Sequence, residues 1–199
     1  MPETVPKHTE YQPGPGVKGD RPCWDRFDFI LGVTGDVAGK RILDIGCSTG
    51  WFARELARRG AKVTAIDEDR GVIDKAVQYA AREKVDGVRF VCGDYRGNSI
   101  YREVIVNGGF DYVLYLSVIH YHKLPERQLA LDSVGMFTRT GMFFEYAEHH
   151  SNGNMNWGKA IVLCSKAGFG SPSILGVSDS GRKVAYFPKE SSNGNLESP

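Results

Sequence analysis

The stretch Arg41–Ala76, RILDIGCSTGWFARELARRGAKVTAIDEDRGVIDKA, decides the fold. Ile42, Leu43 and Ile45 form a short apolar run without helical period, which predicts a buried parallel strand. Asp44 stands near its end, and Gly46 and Gly50 bracket a turn. From Trp51 to Arg59 the apolar residues Phe52, Ala53, Leu56 and Ala57 recur at helical spacing. Val63, Ala65 and Ile66 give a second strand that closes on Asp67. The stretch therefore reads strand, glycine turn, helix, strand, acid, helix.

Each part suits a ligand. Glycine lets a backbone turn tightly and approach a bound group, since no Cβ intervenes. The helix that opens after Gly50 presents free N–H groups and a positive dipole end. An acid roughly 20 residues on, at the tip of the second strand, accepts hydrogen bonds from ribose hydroxyls. The dinucleotide fingerprint G-x-G-x-x-G is absent, and an acid precedes the first glycine instead. That acid suits an ammonium group better than a pyrophosphate.

D-I-G-C-S-T-G followed by Asp67 resembles the first motif and ribose acid of class I S-adenosylmethionine (SAM)-dependent methyltransferases. The resemblance continues through VRFVCGDY (88–95), which looks like that family's third strand and adenine-contacting acid, Asp94. FDYVLYLSVIHY (110–121) looks like its fourth strand and RTGMFFEY (139–146) its fifth. It covers roughly Arg21 to Phe187. It implies an α/β, single-domain, Rossmann-like seven-stranded sheet of order 3-2-1-4-5-7-6, the last strand antiparallel and helices on both faces. It also implies a SAM site of Asp44, Gly46, Cys47, Ser48, Gly50, Trp51, Asp67, Glu68, Asp94, Tyr95 and Ser117, with Tyr95 covering the adenine ring.

The rest of the chain fits one domain. At 199 residues it can bury a sizeable core but not a separate substrate domain. The 25 basic residues nearly match the 24 acidic ones, so no global field points to nucleic acid or membrane. Cys23, Cys47, Cys92 and Cys164 are scattered without a C-x-x-C pair, which favours reduced thiols over disulfides or zinc. The N-terminus does not resemble a signal peptide, and no apolar run approaches ~18 residues. The expectation is a soluble, cytoplasmic protein. Residues 1–21 are rich in proline and glycine and read as an irregular arm or as a lid over the SAM site. Residues 22–188 are the methyltransferase domain, and 189–199 a disordered tail.

Helices are expected over Pro22–Val33, from about Ile73 to Lys84, from Asn98 or Ser99 to Val106, over Pro125–Val134 and over Trp157–Ala167. Strands are expected over Val88–Cys92, Phe110–Leu116 and Gly141–Tyr146, with a closing hairpin of Ser173–Val177 and Lys183–Phe187. Arg21 and Arg26 either face the methionine carboxylate or are solvated. Arg54, Arg58, Arg59 and Lys62 read as a solvated face.

Methyl transfer from a sulfonium is an in-line displacement, so holding the acceptor close and dry is the main requirement. A base is needed when the acceptor holds a proton of high pKa, such as a hydroxyl. SVIHYH (117–122) and EYAEHH (145–150) leave adjacent strands, making His120, Glu148 and His149 the candidate catalytic residues. A metal cluster of Glu145, Glu148, His149 and His150 is disfavoured, because Glu145 and Glu148 point to opposite faces of an extended strand. The motif N/D-P-P-Y/F after strand four, used by similar enzymes on base amines, is absent, and no Pro-Cys nucleophile follows that strand. R-x-x-W-x-R (21–26), GCSTGW and IHYHKLP also resemble, loosely, SAM-family enzymes of the tRNA wobble uridine, without their extra RNA-binding length. The acceptor is expected to be a small molecule bearing a hydroxyl. Transfer to tRNA or another macromolecule, and SAM binding without transfer, are the alternatives. Oligomeric state is not in the sequence.

Overall fold

The computed structural model describes residues 12–16, 18–19, 22–146 and 156–190. In chain order the elements are α1 (Trp24–Thr34), β1 (Arg41–Ile45), α2 (Trp51–Arg58), β2 (Lys62–Asp67), α3 (Arg70–Arg82), β3 (Val88–Cys92) and α4 (Asn98–Asn107). They continue as β4 (Phe110–Leu116), α5 (Leu124–Phe137), β5 (Thr138–Tyr146), α6 (Trp157–Lys166), β6 (Ser173–Val177) and β7 (Lys183–Pro188). The sheet order is β3-β2-β1-β4-β5-β7-β6, as the resemblance implied. β1 to β5 pair in parallel, and β7 runs antiparallel between β5 and β6.

Alternation along the strands sorts the core into two layers. Leu43, Ile45, Val113, Tyr115, Met142 and Phe144 face α5 and α6, where Leu131, Val134, Trp157 and Ala160 meet them. Ile42, Val63, Ala65, Leu114 and Phe143 face α1 and α2, against Phe27, Ile30, Phe52 and Leu56. β1 lies in the sheet's interior between β2 and β4, buried on both faces, so its carboxyl end opens between the layers. That is where a parallel α/β sheet places its ligands.

Two expectations are corrected. Arg54 is not on a solvated face: it is 1% exposed. Its Nε donates to Glu83 at 2.8 Å, its guanidinium reaches the carbonyls of Thr49 and Pro13, and Tyr79 lies under it at 5.4 Å. A charge pattern cannot distinguish solvated arginines from one sealed by carbonyls and a ring. Arg58 and Arg59 stay partly exposed and pair with Glu55 and Glu83.

The second correction is α5, which continues beyond Val134 through Gly135 to Phe137. Gly135 reads locally as a helix stop. Its absent side chain instead admits a neighbour, since a Cβ there would stand 2.1 Å from the carbonyl oxygen of Ala167 at the end of α6. β5 then begins at once, three residues before the expected Gly141. Thr138 ends the helix by donating from Oγ1 to Val134 O at 2.6 Å and pairs with Phe110 in the sheet.

Gly135→Ala separates these readings. On propensity alone, alanine in a helix gains about 1 kcal/mol over glycine. Overpacking against fixed backbone costs roughly 1–3 kcal/mol. The expected result is a net loss of stability in urea unfolding, with an unchanged m-value; a gain would mean that α5 and α6 do not meet at this point.

Candidate functional site

The carboxyl ends of β1, β2 and β4 surround a cleft of about 390 Å³. It is lined by Gly46, Ser48, Asp67, Glu68, Asp69, Val72, Gly93, Tyr95, Ser117, Val118, Tyr121 and His122, with Ile45, Ile66 and Leu116 at its base. Its floor is the turn after β1. Gly46 and Cys47 donate their N–H groups to Ile66 O at 2.8 and 3.1 Å, tying the turn to β2. Gly46 has φ +67°, and a Cβ on it would lie 2.8 Å from Val118 Cγ2, so this position requires glycine on both counts. Gly50 caps α2 at φ +73°.

Asp67 is held from both sides. Ser48 N–H donates to its Oδ2 at 2.9 Å and Asp69 N–H to its Oδ1 at 3.0 Å. The carboxylate is thereby oriented while its remaining lone pairs face the cleft, as a diol-binding acid requires. Asp69 closes the wall as the N-cap of α3, accepting from Gly71 N at 2.7 Å and Val72 N at 3.3 Å.

Asp44 lies beneath, fully enclosed. Burial first, and then the nearby Asp67 charge, push its pKa up to about 8, with Arg26 opposing. Its Oδ2 has no hydrogen-bond partner among the described residues. An unsatisfied buried carboxylate oxygen beside an open cleft is a site for a cationic donor. The adjacent Cys47 is buried, and burial holds its thiol well above its usual range; it fills space rather than reacting.

The predicted site residues fall into two groups. Gly46, Ser48, Asp67, Glu68, Tyr95 and Ser117 are brought together on the cleft. Cys47, Gly50 and Trp51 support it from below. Trp51 packs edge-on against Trp24, Phe27 and Phe52, and its N–H donates to Gln12 Oε1 at 3.0 Å. That bond lays the segment around Gln12 across the start of α2. Asp94 is turned to Arg96, which binds both its oxygens at 3.0 and 2.7 Å. Partial burial works to raise the Asp94 carboxyl, but the Arg96 hydrogen bonds and charge outweigh it and hold it below its usual value.

Arg26 is not on the cleft. Its Nη1 lies 3.4 Å from Glu145 Oε2, and its Nη2 donates to Pro22 O at 2.8 Å. Arg21, Glu148, His149 and His150 lie outside the described residues. His120 sits in a 3₁₀ turn, Ile119–Tyr121, with its ring 4.3 Å from that of Tyr121. It is not among the cleft-lining residues, whereas His122 is. Among the described residues no group of three His, Cys, Asp or Glu side chains is placed to hold a metal ion. No helix among them is long and apolar enough to cross a membrane. The four cysteines are free.

Residues 42–141 match the model of the methyltransferase domain, just over half of the chain. The chain belongs to the class I SAM-dependent methyltransferase family. It is 34% identical over 112 residues to magnesium-protoporphyrin O-methyltransferase of Rhodobacter capsulatus, covering 56% of this chain and 47% of that protein. It is 39% identical over 61 residues to ubiquinone biosynthesis O-methyltransferase of Alkalilimnicola ehrlichii, covering 31% of this chain and 25% of that one. The chain thus spans less than half the length of the curated relatives it matches. The same fold appears in magnesium protoporphyrin IX methyltransferase from Synechocystis PCC 6803, solved with bound SAM. The TM-score is 0.68 at 17% identity, over 83% of this chain and 78% of that one.

Asp44 yields a test that needs no ligand. Between its ordinary value of 3.8 and about 8, the folded state holds a proton that the unfolded chain has released. Its contribution to stability therefore falls as pH rises through that window. Asp44→Asn removes the charge, so the variant should gain on the parent in melting temperature from pH 5 to pH 9. A variant that loses ground with rising pH would show that the carboxylate is compensated in the fold.

Proposed function

We propose that this chain transfers the methyl group of SAM to an oxygen atom of a small molecule, with the cofactor in the cleft between β1, β2 and β4. The observation that carries the reading is the pairing of two acids with different states. Asp67 is oriented by two backbone N–H groups toward the opening, as a ribose diol requires. Asp44 is buried with an unpartnered oxygen, as an ammonium group requires. The α-ammonium of the methionine moiety would meet Asp44, and the ribose hydroxyls Asp67. Glu68, Gly93 and Tyr95 would border the nucleoside. The fit is of charge and hydrogen-bonding type: a cation for the raised acid, a diol for the oriented one.

The oxygen acceptor is supported by the relatives, which are named as O-methyltransferases of a magnesium porphyrin and of ubiquinone biosynthesis. The chemistry asks little of the protein beyond alignment and exclusion of water, because the sulfonium supplies the leaving group. For a hydroxyl acceptor a base is required, and His120, in the turn just beyond β4 and behind the cleft lining, is the proposed one, reaching the acceptor by a shift of that turn. Histidine as a residue type is suited to exchange a proton near neutrality.

The cofactor is tested by thermal unfolding with SAM, S-adenosylhomocysteine and NAD. Ligand at ~100 times its dissociation constant adds roughly 2.7 kcal/mol. SAM and S-adenosylhomocysteine should each raise the melting temperature and NAD should not; a shift with NAD alone would overturn the reading.

The base is tested by His120→Ala. General-base assistance is typically worth a factor of ~10²–10⁴, so single-turnover transfer to a hydroxyl acceptor should fall by that much with SAM affinity nearly intact. A loss below about tenfold would remove His120 from the proton transfer.

A further inference from the structure

Three side chains on the α5-facing side of the cleft form a hydrogen-bonded chain that the proposed reaction does not use. Tyr115 Oη lies 3.0 Å from Tyr95 Oη, and Tyr95 Oη lies 3.0 Å from His122 Nε2. All three residues are buried; His122, at 8%, is the most exposed. Tyr95 and His122 line the cleft, and Tyr115 does not.

One order of protons gives every hydrogen in this chain an acceptor within it. Among the described residues, the Tyr115 hydroxyl has Tyr95 Oη as its one hydrogen-bond partner. Its hydrogen must therefore go to Tyr95 or be buried without an acceptor, which is costly. Tyr95, having accepted, sends its own hydrogen to His122 Nε2. Nε2 is then an acceptor, and the ring proton sits on Nδ1. The opposite order, with His122 donating to Tyr95 and Tyr95 to Tyr115, strands the Tyr115 hydrogen in the core. Protonating the ring turns Nε2 into a donor and deprives the Tyr95 hydrogen of its acceptor in the chain.

Nδ1 has no hydrogen bond among the described residues, and it is not sealed from solvent. The ring lies on the cleft wall, which leaves the N–H on Nδ1 available to a ligand bound there.

We infer that the Tyr115–Tyr95–His122 chain holds His122 as the neutral Nδ1–H tautomer, making it a fixed hydrogen-bond donor to a lone pair of the bound nucleoside and not an acceptor of the substrate's proton. The charged groups around the ring agree. Burial first, and then Arg96, hold His122 below its usual pKa; Asp94 and Glu126 oppose this, and Arg127 adds to it. Arg127 also fixes the backbone here, donating from Nε to His122 O at 3.0 Å. Two histidines two residues apart thus have opposite roles, His120 as base and His122 as donor. The donor's ligand rests on the SAM reading; its tautomer does not.

The experiment has two arms. Long-range proton–nitrogen correlation spectra of the ¹⁵N-histidine-labelled, ligand-free protein read the tautomer, with His122→Gln assigning its signal among the five histidines. A neutral Nδ1–H pattern at pH 7 is expected, and Tyr95→Phe, which removes the partner of Nε2, should erode it. An Nε2–H pattern, or a protonated ring at pH 7, overturns the inference. The second arm measures S-adenosylhomocysteine affinity. Asparagine places an N–H near Nδ1 and glutamine places one near Nε2, so His122→Asn should bind within a factor of about three of the parent and His122→Gln about tenfold more weakly. Equal binding by the glutamine variant overturns the donor role. Failure of the parent itself to bind overturns the cofactor reading and the donor role with it, while the spectra still decide the tautomer.

Discussion

The site depends on one enclosed carboxylate. Glu145, wholly buried near the end of β5, gathers four side chains from three otherwise separate pieces of chain. Ser117 Oγ donates to its Oε2, and Ser178 Oγ donates to its Oε1 at 2.8 Å. Arg26 of α1 and Arg182, just before β7, approach Oε2 at 3.4 and 4.0 Å. Arg182 also donates to Ser117 Oγ at 2.6 Å. An ionised group in the interior is tolerated only when several donors converge on it, and removing one partner from such a set typically costs about 3–5 kcal/mol. The network's effect is positional. It pins the residue after β4 to the β6–β7 connection and to α1 at once.

Ser117 shows what is being held. It has φ +60°, a conformation that residues with a side chain rarely adopt. Its N–H donates to Glu145 O at 2.9 Å, and its hydroxyl lies between Glu145 and Arg182. The chain is thereby turned sharply out of β4, sending Val118 over Gly46 and bringing Tyr121 and His122 onto the cleft wall. Without that turn the strand would carry its polar exit residues straight past the cleft. Local backbone strain of this kind persists only where surrounding contacts over-determine it.

The acids divide the labour in the same way. Asp67, Asp69 and Asp94 are each fixed by hydrogen bonds: backbone N–H groups for the first two, Arg96 for the third. Asp44 has no such provision, and burial leaves it a weak acid near neutrality. One carboxylate is therefore left unsatisfied directly beneath the opening, which is the arrangement a cationic ligand completes. Among the described residues, Gln12 and Pro13 also reach this region, through Trp51 N and Arg54.

The βαβ unit, the order of the strands and the two acids at the tips of β1 and β2 were legible in the sequence. The unit and its acids arise from local patterns: apolar runs with no helical period, glycines where φ must be positive, and an acid near the end of each strand; the strand order followed from the family resemblance. Element ends that depend on a distant neighbour were not. Gly135 looks like a stop until Ala167 is seen to need the space, and Arg54 looks solvated until Glu83, Tyr79 and Pro13 close over it. The polar residues after β4 show the same limit. The pattern SVIHYH announces two histidines but not which one faces the cleft, because that is set by the left-handed turn at Ser117 and by Glu145, Ser178 and Arg182, far along the chain. Nor can spacing reveal that Tyr95 and Tyr115, on different segments, share one proton chain with His122. Local propensity determined where the strands and the glycine turn lie; only long-range packing of buried polar groups decided which side chains face the cleft and which hydrogen bonds hold them there.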